Sequence, residues 1–513
     1  MSNSSEANRS LRSTIEFLRA EGQLIESNRQ VDPAVEVIAL QKHFDGGPCL
    51  YFDDVKGYPD HRIVTNVIAR EDMLTKLFPC DSPRDLKRKF QTALTQPLAP
   101  QVVESAPCQE VVITDEIDVW KEVPMVSHTF EDPGRTLGGG ITLVSGRHFW
   151  GGSHIAFNRM NFRGPDFSSF QLSPGSHGDM IATEFYRKER IPMTINIGVP
   201  PAVTITAGSA FDYLLLPKGS DELGVAGAFQ GFPVDVVKAK TVDAMSIAEA
   251  EIVIEGYLDT EDKVWESPIA EEENVQGKYA FHPEWAGYMG KAYRTYKFVA
   301  TGITRRADRP IYHALGVHMQ EVHNACVIPR EAALLEIADR IEPGLVTDVH
   351  VPWAMTEWGG AVFQVKKRRQ RDEGAQVNIM DTILAASRGM RVALAVDDDI
   401  DIYDLNDVVW AATTRVNPAI DVHRVAVGGV GQTFQPGDRA SAGAADWTAS
   451  NIRFPGGVSI DATAPYAYKD AFARPTYPIE AVDPIEFFGI EAVKSVRQEQ
   501  AGNWLERLAG EGL

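Results

Sequence analysis

Cysteine is scarce in this 513-residue chain: the four, Cys49, Cys80, Cys108 and Cys326, stand far apart and include no CxxC pair. That excludes a disulfide framework and a zinc ribbon, and it fits a reducing compartment. No apolar run approaches the roughly 18 residues that a membrane span needs, and the opening MSNSSEANRSLRSTIEFLRAEG has no apolar leader segment. A cytoplasmic protein without a membrane partner is therefore expected. Basic residues are outnumbered, 50 Lys and Arg against 71 Asp and Glu, for a net charge of -21. Such a chain repels phosphate backbones, so nucleic acid is excluded as a partner; KKRRQR at 366–371 is the one basic exception. Signature loops are missing as well. There is no GxSxG elbow, P-loop or HExxH, and GGVGQTF (428–434) and LGGGITL (137–143) lack the GxGxxG order of a dinucleotide fingerprint. DDDIDIYDLNDV has Ile402 where a calcium loop requires Gly and Val408 where it requires Glu, so it reads as a strand end and a helix cap.

What is present describes an ordinary globular protein, 44% hydrophobic and 24% charged, long enough for two or three domains. SLRSTIEFLRAEGQLIE has helical apolar spacing at Leu11, Ile15 and Leu18, and VDPAVEVIALQKHF reads as a helix capped by Asp32 with Pro33 at its first position. Residues 110–315 change to short β-rich runs punctuated by Gly and Pro, MTINIGVPPAVTITAG among them, and predict a barrel or sandwich. Beyond 330, helical PREAALLEIADRI and NIMDTILAASRG alternate with VTDVHVP, GAVFQVKKR and RVALAVDDDIDIYD, the pattern of a second α/β layer. The tail PIEFFGIEAVKSVRQEQAGNWLERLAGEGL reads as helical. Its Phe487, Phe488, Ile490, Val493 and Val496 offer an apolar face to a dimer partner or to the chain's own body.

Candidate chemistry gathers on short β-runs. His154 and Arg159 lie in SHIAFNR, His177 in SPGSHGD and Glu222 in SDELGVAGAFQGFPV. Each has a bland alternative as a loop or capping residue. Together, two imidazoles and a carboxylate suit a divalent ion with open positions for water or a phosphate oxygen.

The chain resembles the UbiD-type decarboxylases, which use prenylated FMN. NIGVPPAVTITAGSA, DELGVAGAFQGFPVDVVKA, AEAEIVIEGYL, HPEWAGYMG, DDDIDIYDLNDVVWAATTRVNP and FPGGVSIDATAP carry the resemblance, in the family's order. It implies an α/β (α+β) fold: an N-terminal α/β domain (1–112), a central split β-barrel flavin-binding domain (113–312), a C-terminal α/β domain (313–483) and a helical tail (484–513). It also implies Mn²⁺ with K⁺ or Na⁺, held by His154, His177 and Glu222 and bridging to the flavin phosphate. His154 stands where the family has Asn, five residues before Arg159, and His177 matches the ligand eighteen residues after it. At the first position His154, Asn158 or a water remain the alternatives. Further cofactor contacts are expected from Ile155, Asn158, Arg159, Ser209 in TAGSAF, and Lys366, with Lys367 as its alternative.

The family's Glu-Arg-Glu network implies that Arg159 pairs two acids. Glu284, hemmed by Pro283, Trp285 and Tyr288 in the family's ExxGY setting, is the expected proton donor. The first acid normally lies five residues earlier, where this chain has Tyr279. Glu272 is the candidate for it, with Glu271 and Glu273 as alternatives; the acidity of EDKVWESPIAEEENV otherwise reads as an exposed loop that includes Glu266. Substrate contacts are expected from ALGVHMQEVHNACV, at His318, Gln320, Glu321 or His323. Decarboxylation needs an electron sink that no side chain offers, hence the flavin. The implied activity is reversible, non-oxidative decarboxylation of an aromatic or heteroaromatic acid, ahead of an acrylic or cinnamic acid. A flavin prenyltransferase would supply the cofactor, and a homodimer or higher oligomer is expected. A flavin-free metal-dependent lyase or hydrolase, and a non-catalytic flavin-binding subunit, are the rivals.

Overall fold

The computed structural model describes residues 4–145, 152–172, 176–187, 189–209, 221–387, 390–425, 456–475, 477–478 and 481–490. Residues 1–463 form one compact unit and 464–513 a second.

The first unit is built on mixed helices and sheets, and its central sheet has eight strands. Their order across the sheet begins at His154–Phe157 and runs through Ile141–Val144, Ile191–Ile197, Ile252–Trp265, Arg294–Arg305 and Phe167–Phe170 to Met160–Phe162. Val111–Ile113 adds to Arg294–Arg305 off this path. The strands at the two ends of that path are consecutive in sequence, joined only by Asn158 and Arg159. Two residues cannot span a flat sheet, so the sheet curls until its edges meet. Asn158 ties the seam, accepting from Thr142 Oγ1 at 2.6 Å and donating to the Gln171 carbonyl at 3.0 Å. The split-barrel expectation is met by this half-barrel. Ile141, Leu143, Ile195, Ile254, Phe298 and Ile303 are buried on or against it.

A four-stranded sheet, Leu24–Ser27, Cys49–Phe52, Arg62–Thr65 and Ile311–His313, stands on the N-terminal side. A five-stranded sheet, Val346–His350, Gly360–Val365, Val392–Asp397, Gly457–Ala462 and Val422–Val425, forms the C-terminal layer, with its three middle strands parallel. The 22-residue helix Gln320–Ile341 packs on helices Pro83–Thr95 and Pro201–Ala207.

Local expectations hold where caps are explicit. Ser10 caps Leu11–Ala20 through a reciprocal box with Ser13, and Asp404 caps Leu405–Thr414 directly after the strand end at Asp397. The second N-terminal helix differs, starting at Glu36. Asp32 Oδ1 accepts from Ala34 N at 2.9 Å, an Asx turn that delays the helix. In NIGVPPAVTITAG, PAVTITA is a helix rather than a β-run, because Pro201 at its first position presets the turn and all seven residues are buried, which overrides their β preference. The four cysteines are free. In the second unit, the described part of the tail is the helix Pro484–Phe488, with Phe487 and Phe488 exposed. Val493 and Val496 lie outside the described residues.

Glu321, expected in the substrate wall, is a structural anchor instead. It is fully buried and accepts from the backbone N–H groups of Asn66, Val67 and Ile68 at 2.7, 2.6 and 3.2 Å, from Gln41 Nε2 at 2.9 Å, and lies 2.9 Å from His313 Nε2. Glu321→Ala strands several buried donors at once. It is expected to cost about 3 kcal/mol or more, read as a lowered denaturation midpoint.

Candidate active site

The strand His154–Phe157 and the helix Glu222–Gln230 meet at their starts. Ser153 is the joint: its hydroxyl donates to the helix cap Asp221 and accepts from Leu223 N, and its carbonyl accepts from Glu222 N. Glu222 Oε2 in turn accepts from Ile155 N at 2.7 Å. His177 opens the short helix His177–Met180, capped by Ser176. The result brings His154 Nδ1 to 3.1 Å and His177 Nδ1 to 2.9 Å from the Glu222 carboxylate. One donor atom from each of the three lies within 4.8 Å of the others, a spacing a single divalent ion fits. Burial alone would raise the Glu222 carboxyl; the two imidazoles more than reverse that and hold it well below the usual range. Asn158 spends its amide on the seam of the half-barrel, which leaves His154 as the residue turned to Glu222.

Arg159 emerges from the same seam and is clamped by two acids. Its Nε and Nη2 donate to Glu266 at 2.8 and 2.6 Å, and its Nη1 donates to Glu284 Oε1 at 2.7 Å. The Phe281 ring lies under the guanidinium, 4.6 Å from centroid to Cζ. Glu266, directly after the strand Ile252–Trp265, is fully buried and also accepts from Tyr293 N at 2.8 Å. Burial pushes its carboxyl above the ordinary range, against the pull of Arg159 and of that amide. Glu284 sits on a hairpin turn, its N–H donating to the Tyr288 carbonyl at 2.8 Å. A Cβ at residue 290 would fall 2.7 Å from Glu284 Oε1, so Gly290 makes room for the acid.

His154, His177, Glu222, Arg159 and Glu284 line one pocket, together with Ile155, Asn158, Gln171, Ser209, His282, Trp285 and Trp358. Trp285 and Trp358 stand edge to face, 5.0 Å apart at 86°.

Several expected contributors lie elsewhere. Glu272 ends a short helix and is exposed; the acid paired with Arg159 is Glu266, passed over as one charge in an acidic loop. Its signal was an acid immediately after an apolar strand end, VW-E-SP. Lys366, just past the end of the strand Gly360–Val365, is 58% exposed and faces Asp398 at 3.3 Å, whereas Lys367 is buried beside Glu373. His318 supports the site from behind, its Nδ1 3.2 Å from the Trp285 carbonyl and its ring against Trp353. Gln320 bonds Asn324, and His323 is buried with Nε2 3.2 Å from the Val351 carbonyl. Neither lines the pocket.

Three stretches match the domains of 3-octaprenyl-4-hydroxybenzoate carboxy-lyase: the N-terminal domain over residues 15–92, the Rift-related domain over 101–319 and the C-terminal domain over 323–443. The chain belongs to the UbiD family. Its class is that of a carboxy-lyase. A gallate decarboxylase of Lactiplantibacillus plantarum is 31% identical over 470 residues, 88% of this chain and 92% of that protein. The apo 3,4-dihydroxybenzoic acid decarboxylase from Enterobacter cloacae is 28% identical, with a TM-score of 0.80 over 94% of this chain and 99% of that one. An evolved dimeric form of the UbiD-class enzyme HmfF from Pelotomaculum thermopropionicum, in complex with prFMN, is 26% identical, with a TM-score of 0.78 over 94% and 100% of the two chains. Among the described residues, no helix is long and apolar enough to cross a membrane.

Beside the pocket, Glu357 precedes Trp358 and follows Thr356, whose φ of 55° is strained for a β-branched residue. Glu357 is 1% exposed, neither carboxyl oxygen is hydrogen-bonded to another residue among those described, and burial pushes its carboxyl up to about 7. Between its ordinary value of 4.5 and that raised value, the folded protein holds a proton that the unfolded chain releases. Stability therefore falls as pH rises through this window, by at most about 3 kcal/mol. In protein free of flavin, Glu357→Gln should flatten the fall of melting temperature between pH 5 and pH 8; an unchanged slope would assign the fall to other groups. His177→Ala is expected to lower retained Mn²⁺ by about tenfold or more, measured by elemental analysis after dialysis.

Proposed function

We propose that this chain catalyses reversible, non-oxidative decarboxylation of an aromatic or heteroaromatic carboxylic acid with prenylated FMN. The observation that carries this reading is one pocket in a UbiD-family chain that unites the His154–His177–Glu222 cluster with the Glu266–Arg159–Glu284 array. His154, His177 and Glu222 would hold Mn²⁺, with K⁺ or Na⁺ beside it, and the ion would neutralise the flavin phosphate in an otherwise acidic protein. Ile155 and Ser209 are the remaining candidates for cofactor contacts. The flavin, when bound, supplies the electron sink that decarboxylation requires.

The chain's own residues handle position and protons. Glu266 fixes two guanidinium nitrogens, so the third can point only at Glu284. Glu284 Oε then holds, in register with the pocket, the proton that replaces CO₂ on the product carbon. Trp285 and Trp358 present aromatic walls that suit a planar ring. This favours an aromatic acid over an acrylic one, as do the gallate and 3,4-dihydroxybenzoic acid decarboxylases to which the chain is similar. A flavin-free lyase or hydrolase has no use for the Arg159 clamp, and an inert flavin carrier has no use for the acid held on it. A cytoplasmic homodimer supplied by a flavin prenyltransferase completes the reading. The exposed Phe487 and Phe488 are the surface offered to the second copy.

Protein coexpressed with a flavin prenyltransferase tests the proposal. It should carry the prenylated flavin by absorbance and native mass and release CO₂ from hydroxylated benzoic acids. Glu284→Gln keeps size and hydrogen bonding but has no acidic proton, so turnover should fall at least ~10²-fold while flavin content is unchanged. Near wild-type turnover would remove Glu284 from the role of proton donor.

A further inference from the structure

His282 and Glu284 alternate with Pro283 at the end of the strand Ala280–Pro283, a period-two spacing that sends both side chains to the face lining the pocket. The imidazole is fixed on three sides. Nδ1 lies 2.6 Å from the Pro283 carbonyl, which can only accept, so the hydrogen is on Nδ1. The His128 ring stacks on it at 5.4 Å and 29°, and the Phe281 ring is 4.5 Å away. His128 is in turn held at its backbone, its N–H donating to Asp132 Oδ2 at 2.7 Å. Because a ring flip would break the Pro283 bond, Nδ1 keeps the hydrogen and Nε2 the lone pair, on the opposite ring edge of a side chain that lines the pocket. Burial, then His128 and Arg159, press the imidazole well below its usual range, so this edge gains no proton near neutrality.

We infer that His282 is a specificity-determining residue that accepts, at Nε2, a hydrogen bond from an O–H or N–H group on the ring of the substrate. The inference rests on the decarboxylase reading of the pocket and narrows its substrate class to aromatic acids bearing a phenolic hydroxyl or a ring N–H. An acceptor without a donor of its own gains nothing from a methyl or bare ring edge. A ligand lacking the hydrogen leaves Nε2 desolvated and unpaired, which is the asymmetry that makes polar pockets discriminate more sharply than apolar ones.

Calorimetric binding of catechol and of o-xylene, its donor-free counterpart of similar shape, to the flavin-loaded enzyme reads this contact without turnover. Wild type should prefer catechol by about tenfold or more. His282→Phe should abolish the preference at unchanged flavin and metal content. His282→Met carries the same expectation if the Phe variant does not fold, and His282→Gln, which keeps an acceptor oxygen, should retain it. A catechol preference that survives in the apolar variant overturns the inference, as does its equal loss in the Gln variant. Failure of the decarboxylase reading would appear separately, as a loaded wild-type enzyme that releases no CO₂ from any hydroxylated benzoic acid.

Discussion

Arg159 sits in the two-residue link between the half-barrel's edge strands, and the site is arranged around the charge it brings there. A buried guanidinium must be paired, because the desolvation it suffers exceeds what any single contact returns. Glu266 answers with a two-point bond from the end of a neighbouring strand, and Glu284 with a third contact from a hairpin. Two acids against one arginine leave a net negative charge in a dry place, an arrangement that favours keeping a proton on the array. The same two-residue link thus closes the curled sheet and carries the arginine that gathers both acids.

The second charge cluster solves a different problem. A chain of net charge -21 repels both a phosphate-bearing cofactor and a carboxylate substrate at long range. Within the pocket the Arg159 array is itself net negative, so a cation held by the trio at Glu222 is what would reverse that repulsion locally. Glu222 is suited to this because helix and strand both start at it: the Ile155 amide and the first turn of its own helix fix the carboxylate before any ligand arrives. Screening at physiological ionic strength confines the surface charge to about 8 Å, so these near contacts decide binding.

Much of this was legible in the residues. Short β-runs between Gly and Pro announced the sheet, whereas the grouping of His154, His177 and Glu222 came from the family resemblance, because spacing alone does not say which loops meet. What escaped did so for physical reasons. Glu266 was hidden among acids of the same loop, and only its pairing across 107 residues of chain separates a buried partner from solvated neighbours. PAVTITA read as β because propensity is local, whereas burial of all seven residues is tertiary. Lys366 and Lys367 are indistinguishable in sequence, yet beyond the strand end at Val365 one faces solvent and the other the interior.

The polar run ALGVHMQEVHNACV is the most instructive misreading. Its histidines and acid looked like a substrate wall, and they serve the fold: Glu321 gathers the backbone of 66–68, His323 meets the Val351 carbonyl, and His318 braces Trp285 from outside. On the proposed reading, recognition would pass instead to the surfaces beside them, two indoles at right angles and the edge of one imidazole. Indoles reward any flat ring and discriminate weakly, since a methylene more or less changes binding only about 10- to 200-fold. Selectivity among aromatic acids must then come from the few polar atoms at the pocket's edge, held still by groups that never touch the substrate. A rigid second layer is what allows so small a polar set to choose.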